Sequence, residues 1–167
     1  MNSTKIGTGT FSLITLLFIC LHTQGQYQSP VITFRGIGEI KTGMTISQLE
    51  HIVGKKIPVP VKNPDTVECI YKGVAMDVIL FTYGYGYFID EMITKNSAIK
   101  TVSGIGVGNS LPDIITAYRN YFISYWPGKK DQANEVKVYD NGKENCINFF
   151  LRNNRIIMLG SDREPGD

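Results

Sequence analysis

Histidine, cysteine and surplus charge are all scarce in this sequence. Its 167 residues include 2 histidines and 3 cysteines, and 17 basic against 15 acidic residues leave a formal net charge of +2. Zinc sites usually draw three or four ligands from Cys, His, Asp and Glu, so we expect no metal, and no other cofactor is indicated. A protein that binds nucleic acid through its phosphates normally carries a basic surplus, so we expect no nucleic-acid partner.

Long apolar runs are also few, and the most apolar stretch is the eleven residues Phe11–Leu21. A membrane-spanning helix needs about 20 residues, so we expect no stable membrane span. Lys5 precedes the stretch and the small residue Gly25 follows it, which is typical of a secretory signal peptide. The sequence therefore predicts a signal peptide over residues 1–25, cleavage before Gln26, and a periplasmic or secreted protein.

The cysteines raise two questions, lipid anchoring and disulfide formation. Cys20 ends the apolar stretch, but bacterial lipidation sites carry a small residue before the cysteine and here Ile19 stands there, which argues against a lipid anchor. Cys69 and Cys146 remain after cleavage. In an oxidising compartment these two could form one disulfide, or each could be a small buried side chain on a strand. Both alternatives stay open, because the sequence does not give the separation of the two residues.

A helix-start pattern occurs twice in the chain, around Gly43 and around Gly108. Aligning these glycines places Thr45 on Ser110. A hydroxyl at each of these positions can accept a hydrogen bond from the first turn of a following helix, so both are predicted N-caps. The apolar spacing that follows predicts two short helices, over 46–53 and 111–121.

Alternating apolar and polar residues predict a group of strands after each helix. In the first half these lie at 66–71, 74–82, 87–94 and a short 98–102. In the second half they lie at 135–139, 145–151 and 155–160, with turn residues at Asp140–Lys143 and Asn153–Asn154. The predicted fold is α+β, with two helix-plus-antiparallel-meander units packed as one domain: residues 26–103 form the first unit, 104–160 the second, and 161–167 a polar tail.

The first helix-start pattern resembles a known group of exported bacterial domains, the SmpA/OmlA-like and β-lactamase-inhibitor-protein-like (BLIP-like) proteins. The residues that carry the resemblance are Gly43, Met44, Thr45, Gln48, Leu49 and Gly54. The resemblance implies a helical segment packed on an antiparallel sheet, with two such units in tandem in the inhibitor proteins. It also implies protein binding rather than catalysis. The second unit departs from the pattern, with Gly108-Asn109-Ser110 in place of Gly-Met-Thr.

Groups suited to catalysis are few. Outside the predicted signal peptide the only histidine is His51, which falls at a surface position of the first predicted helix. Asp90 and Glu91 are adjacent on a predicted strand, so their carboxylates should point to opposite faces. We therefore expect no enzyme. A hydrolase would instead need a cleft that pairs distant carboxylates, such as Asp90 with Asp77 or Glu91 with Asp140.

Aromatic residues gather in two segments and are the candidate binding residues: Tyr83, Tyr85, Tyr87, Tyr125 and Trp126. Tyrosine and tryptophan are enriched in protein interfaces, because they bury a large area at low entropic cost. The alternative is that these rings complete the core. The hypothesis from sequence is an exported, non-catalytic protein-binding module, acting as an inhibitor, an immunity protein or an envelope assembly factor. Its partner would be another exported or envelope protein; the alternative is a small hydrolase or carbohydrate-binding protein of the envelope.

Overall fold

The structure is a computed structural model that describes residues 29–58, 61–84 and 86–163. The predicted signal peptide, Cys20, Gln26, Tyr85 and residues 164–167 lie outside the described residues, and the side chain of Tyr83 is not described either. The described helices are α1 (Ile46–Val53) and α2 (Leu111–Ala117). The strands are β1 (Ile32–Thr33), β2 (Gly36–Ile37), β3 (Ile40–Lys41), β4 (Asp65–Tyr71), β5 (Val74–Tyr83), β6 (Gly86–Thr94), β7 (Ile123–Trp126), β8 (Asn134–Tyr139), β9 (Asn145–Arg152) and β10 (Arg155–Arg163).

Most of the described chain belongs to one seven-stranded antiparallel sheet, in the order β4-β5-β6-β10-β9-β8-β7. A second sheet of three two-residue strands, in the order β1-β2-β3, precedes α1. The fold thus mixes helix and strand, as the sequence predicts, but the sheet dominates it. The short strands β1 to β3 were not predicted, because two-residue strands are too short to show any alternation.

The helix α1 begins and ends at the residues predicted from sequence. Thr45 Oγ1 accepts a hydrogen bond from the Gln48 backbone N–H, and the Thr45 backbone N–H donates to Gln48 Oε1 at 2.9 Å. This reciprocal pair is a capping box, which satisfies two backbone donors at the helix start. Gly54 ends the helix with φ of 68°, a left-handed conformation that glycine adopts without a Cβ penalty.

The helix α2 is shorter than predicted. It ends at Ala117 rather than Tyr121, because Tyr118 adopts a non-helical conformation (φ −115°) and its ring is buried. The chain then turns and enters β7, a strand that the sequence analysis did not predict. Aromatic and β-branched residues of 121–126 suit a strand as well as a helix, so local preference alone did not decide between them.

The segments before the two helices make equivalent contacts. Gly43 N–H donates to Ile89 O at 2.7 Å and Ile89 N–H donates to Met44 O at 2.8 Å. Correspondingly, Gly108 N–H donates to Ile156 O at 2.9 Å and Ile156 N–H donates to Asn109 O at 2.8 Å. A break in strand register follows both isoleucines, on β6 and on β10. The helix-start pattern found in sequence therefore corresponds to a repeated backbone arrangement.

The two faces of the seven-stranded sheet differ. The core face carries the buried apolar side chains of alternate strand positions, including Val78, Leu80 and Phe149. The helix residues Leu49 and Ile114 belong to the same buried cluster, as do the isoleucines of β1 to β3. The opposite face, here named the open face, contributes nothing to this cluster.

Two strand boundaries differ from the sequence prediction. The last strand β10 continues to Arg163, so Ser161–Arg163 are part of the sheet and not of a polar tail. Ser161 is buried and its Oγ donates to Phe34 O at 2.9 Å, which joins the last strand to the loop between β1 and β2. The predicted strand at 98–102 is wrong: there, only Lys100 and Thr101 form isolated bridges.

Candidate binding face

A group of polar side chains crosses the middle of the open face. Strand register places Glu91 of β6 directly opposite Asp162 of β10, and Asn148 of β9 opposite Lys137 of β8. We name this group, together with Glu135 of β8, the charged row. Four adjacent strands thus contribute to it, and the side chains share one face because alternate residues of paired strands point the same way.

Asn148 is the centre of the charged row. It is 1% exposed, and its Nδ2 donates to Glu91 Oε1 at 3.0 Å and lies 3.4 Å from Asp162 Oδ2. Its Oδ1 accepts a hydrogen bond from the buried thiol of Cys146 at 3.1 Å. The thiol donates to Oδ1 and the carboxylates accept from Nδ2. Together they fix the orientation of the amide, because only Nδ2 can donate and only Oδ1 can accept.

Lys137 lies on the other side of Asp162. Its Nζ donates to Asp162 Oδ2 at 3.2 Å and lies 3.9 Å from Glu135 Oε1. Both the lysine and Asp162 are largely buried, with side chains 17% and 15% exposed. Ion pairs shielded from water in this way interact more strongly than exposed pairs, but the desolvation of each charge opposes that gain.

Glu91 is the group whose protonation this arrangement changes most. Burial, and after it the negative charge of Asp162, raise the pKa of the Glu91 carboxyl to about 7. The hydrogen bond from Asn148 opposes this rise in pKa, because it stabilises the ionised carboxylate. A carboxyl group that holds its proton near neutral pH therefore lies at the centre of the open face.

Exposed aromatic residues adjoin the charged row along β7, the edge strand of the sheet. Trp126 lies opposite Glu135, and its Nε1 donates to Ser124 Oγ at 3.1 Å. Trp126 is 58% exposed, and Tyr125 and Phe122 are exposed to a similar extent. We name Phe122, Tyr125 and Trp126 the aromatic edge. Since Trp126 and Glu135 are cross-strand neighbours, the aromatic edge adjoins the charged row through Trp126, whereas Tyr125 points to the other face of the sheet.

The candidate binding residues from sequence do not form one cluster. Tyr125 and Trp126 lie together on β7, with side chains on opposite faces of the sheet. Tyr87 is half-buried on β6, four strand positions away, which corresponds to about 19 Å across the sheet. The structure does not describe Tyr85 or the side chain of Tyr83. Of the five predicted binding residues, Tyr125 and Trp126 are therefore the two that the structure describes as exposed.

The carboxylate pairs considered from sequence are not brought together. Glu91 faces Asp162 rather than Asp140, which lies in the turn before β9 and accepts hydrogen bonds from the backbone of Glu144 and Asn145. The nearby Asp90 lines a separate cavity of about 190 Å³ with Gly43 and Arg163. The two adjacent carboxylates thus have different surroundings.

The disulfide considered for Cys69 and Cys146 does not form. Both residues occur as buried thiols, on β4 and β9. Four strand spacings separate them, about 19 Å across the sheet, whereas a disulfide needs Cα atoms within about 7 Å. In addition, Cys69 points to the core face and Cys146 to the open face. The alternative reading, two small buried side chains on strands, describes both cysteines.

Sequence reasoning missed four members of the charged row: Asp162, Asn148, Lys137 and Glu135. Asp162 was assigned to the tail. Asn148 stands in an otherwise apolar strand, at an alternate position from Cys146 and Phe150. A buried polar residue needs a hydrogen-bonding partner, so an asparagine in such a strand indicates polar side chains on the neighbouring strands.

Within the described ranges, no group of three or more His, Cys, Asp and Glu side chains could hold a metal ion. His51 is exposed on α1, at the surface position predicted for it. In the part of the chain that the structure describes, no helix is long and apolar enough to cross a membrane.

No protein-family model, curated protein or solved structure gives a significant match to the chain.

Proposed function

We propose that this protein is an exported, non-catalytic protein-binding module whose partner is another exported or envelope protein. The observation that carries the proposal is the aromatic edge: three large aromatic side chains, each about half exposed, two on the edge strand β7 of the described sheet and Phe122 just before it. Exposed aromatic residues beside a charged group are typical of protein interfaces, where the rings supply buried area and the charges select the partner. Export is supported by the signal-peptide pattern in the sequence.

The proposed mode of binding uses two parts of the open face. Trp126 supplies an apolar anchor with one hydrogen-bond donor, and the neighbouring charged row supplies charges of both signs. An unpaired edge strand can also accept a strand of the partner through backbone hydrogen bonds. Inhibition of an exported enzyme, an immunity role and envelope assembly all fit such a surface.

The tandem-unit interpretation belongs to the same proposal. The equivalent hydrogen bonds at Ile89 and Ile156 support two helix-plus-meander units, each with its last strand at the centre of the sheet. This arrangement, and the helix-start residues Gly43 to Gly54, support a relation to the SmpA/OmlA-like and BLIP-like exported domains.

Affinity capture from envelope and secreted extracts, followed by binding measurements with the purified partner, tests the proposal. We expect Trp126→Ala to weaken binding at least tenfold, the effect of losing about 1.4 kcal/mol. Ile70→Ala is the matched control, because Ile70 is also exposed on the open side of the sheet but lies on β4, at the far edge. Capture alone does not support the proposal; equal binding by wild type and Trp126→Ala contradicts it.

A small hydrolase is the second candidate, and one observation favours it. Glu91 faces a second carboxyl and its pKa is raised to about 7 by burial and by Asp162, a value suited to a general acid. Assays with ester and glycoside substrates distinguish the two functions. Turnover that Glu91→Gln abolishes would favour the hydrolase, whereas no turnover by wild type would leave the binding function.

A further inference from the structure

Two carboxyl groups, those of Glu91 and Asp162, lie side by side on the open face, and Lys137 forms its ion pair with Asp162. Glu91 and Asp162 are directly opposed on β6 and β10, where like charges repel. Lys137 donates to Asp162 at 3.2 Å and lies 3.9 Å from Glu135 Oε1. Among the described residues the charged row thus contains three carboxyls and one ammonium.

The hydrogen-bond geometry directs both carboxyls of the pair to one atom. Glu91 Oε1 and Asp162 Oδ2 each lie within 3.4 Å of Asn148 Nδ2. The Cys146 thiol holds the Asn148 amide in this orientation through Oδ1. Two carboxyl groups converging on one amide nitrogen are close enough for the ionisation of one to oppose the ionisation of the other.

We propose that Glu91 and Asp162 hold one proton between them and act as a pH-sensitive element that sets the charge of the open face. When the proton is held, the charged row has one net negative charge; when it is released, the row has two. Lys137 favours the ionised state of Asp162, so the proton resides on Glu91. This matches the raised pKa of Glu91, whose main causes are burial and Asp162.

Every element packed around Glu91 contributes to this response. Asp162 faces it from β10, Lys137 and Glu135 from β8, and Asn148 from β9, where the Cys146 thiol also lies 4.0 Å from Asp162 Oδ2. On β5, Ile79 lies opposite Glu91, and Asp77 is two residues further along that strand, opposite Ile93. Lys137 is the only cation of this set, so it opposes proton retention while the neighbouring carboxylates favour it.

The Glu91–Asp162 pair extends the proposed function, because it makes binding through the open face depend on pH. Release of the proton adds negative charge beside the aromatic edge, which favours a partner that presents a lysine or arginine there. This role in binding rests on the proposed function. The titration itself needs no partner, so failure of one proposal is distinguishable from failure of the other.

Carbon-13 NMR of the Asp and Glu side-chain carboxyl carbons, recorded from pH 4 to 9 on the purified protein, tests the proposal. We expect the Glu91 signal to titrate near pH 7. Asp162→Asn should lower the Glu91 midpoint by about one pH unit or more. Asp77→Asn is the matched control, a carboxylate of the same face, and should leave the midpoint unchanged.

Two results would overturn the proposal. One is a Glu91 midpoint near the ordinary value of 4.5 in the wild-type protein. The other is a folded Asp162→Asn variant in which the midpoint does not move. If Asp162→Asn does not fold, the wild-type spectra still decide, because a Glu91 midpoint near the ordinary value of 4.5 excludes a retained proton.

Discussion

Glu91 and Asp162 face each other across the two central strands of the sheet, and Asn148 Nδ2 lies between their carboxyl groups. The two residues are 71 positions apart in the chain. The pair therefore lies where the strands of the first half of the chain, β4 to β6, meet those of the second half, β7 to β10. The stability of the fold should therefore respond to the protonation of this pair.

The stability of the wild-type protein should fall as the pH rises toward 7, and Glu91→Gln should remove that dependence. The folded-state pKa of Glu91 is raised to about 7, above the ordinary value of 4.5, so the folded state retains a proton that the unfolded state releases. This contribution is fully present below pH 4.5 and is lost by about pH 7, on the order of 1 kcal/mol per pH unit within the window. Urea unfolding of both proteins at pH 5 and pH 7.5 measures the difference; parallel pH profiles would contradict it.

Loss of the α1 cap should destabilise the fold by a moderate amount. Thr45→Ala removes the hydroxyl that accepts from the Gln48 backbone N–H, which should lower the free energy of unfolding by about 1 kcal/mol. Ser47→Ala is the matched control, because Ser47 is exposed in the first turn of the same helix. Urea denaturation compares the two, and an equal loss in both variants would show that the cap is not responsible.

The core face should tolerate truncation far less than the open edge of β4. Phe149 is fully buried and its ring lies 6.0 Å from that of Tyr118, so Phe149→Ala should lower the free energy of unfolding by about 3–5 kcal/mol. Ile70→Ala, at a side chain that is 67% exposed, should change it by less than about 0.5 kcal/mol. Denaturant titrations measure both, and a small loss for Phe149→Ala would place the core elsewhere.

The fluorescence of Trp126 should report a solvent-exposed indole. The chain has one tryptophan, so its emission is unambiguous, and 58% exposure predicts a red-shifted spectrum that iodide quenches efficiently. Trp126→Ala should also leave the free energy of unfolding nearly unchanged, within about 1 kcal/mol. A blue-shifted, unquenched emission, or a loss of several kcal/mol in the variant, would instead place this ring in the core.

The thiols of Cys69 and Cys146 should stay reduced and inaccessible in the folded protein. Both are buried, and burial raises the pKa of the Cys69 thiol, which lowers its reactivity further. Alkylation followed by mass spectrometry without reductant should label neither thiol under native conditions and both in denaturant. Recovery of a peptide that links the two cysteines would contradict the structure.

Much of the local structure follows from residues that act over three or four positions. Thr45 and Gln48 close the start of α1, and Gly54 ends it, so the bounds of this helix were predictable. The adjacent residues Asn153 and Asn154 both adopt positive φ, which is the tight turn that their side chains favour. Alternation likewise places Cys146, Asn148 and Phe150 on one face of β9.

The candidate site was much less predictable. Asp162 and Lys137 belong to the site because β10 lies between β6 and β9, with β8 next in the sheet. The sequence of a single strand does not show which distant strand it pairs with. The segment 121–126 suited helix and strand alike, and its place beside β8 decided in favour of β7.

By itself, the sequence determined the helix caps, the turns and the faces of most strands, since these depend on neighbouring residues along the chain. The tertiary structure alone decided which strands meet, that Glu91 faces Asp162, and that Cys69 and Cys146 lie too far apart to bond. The physical reason is that strand order reflects the packing of the whole core, where side chains distant in sequence must fill one volume together.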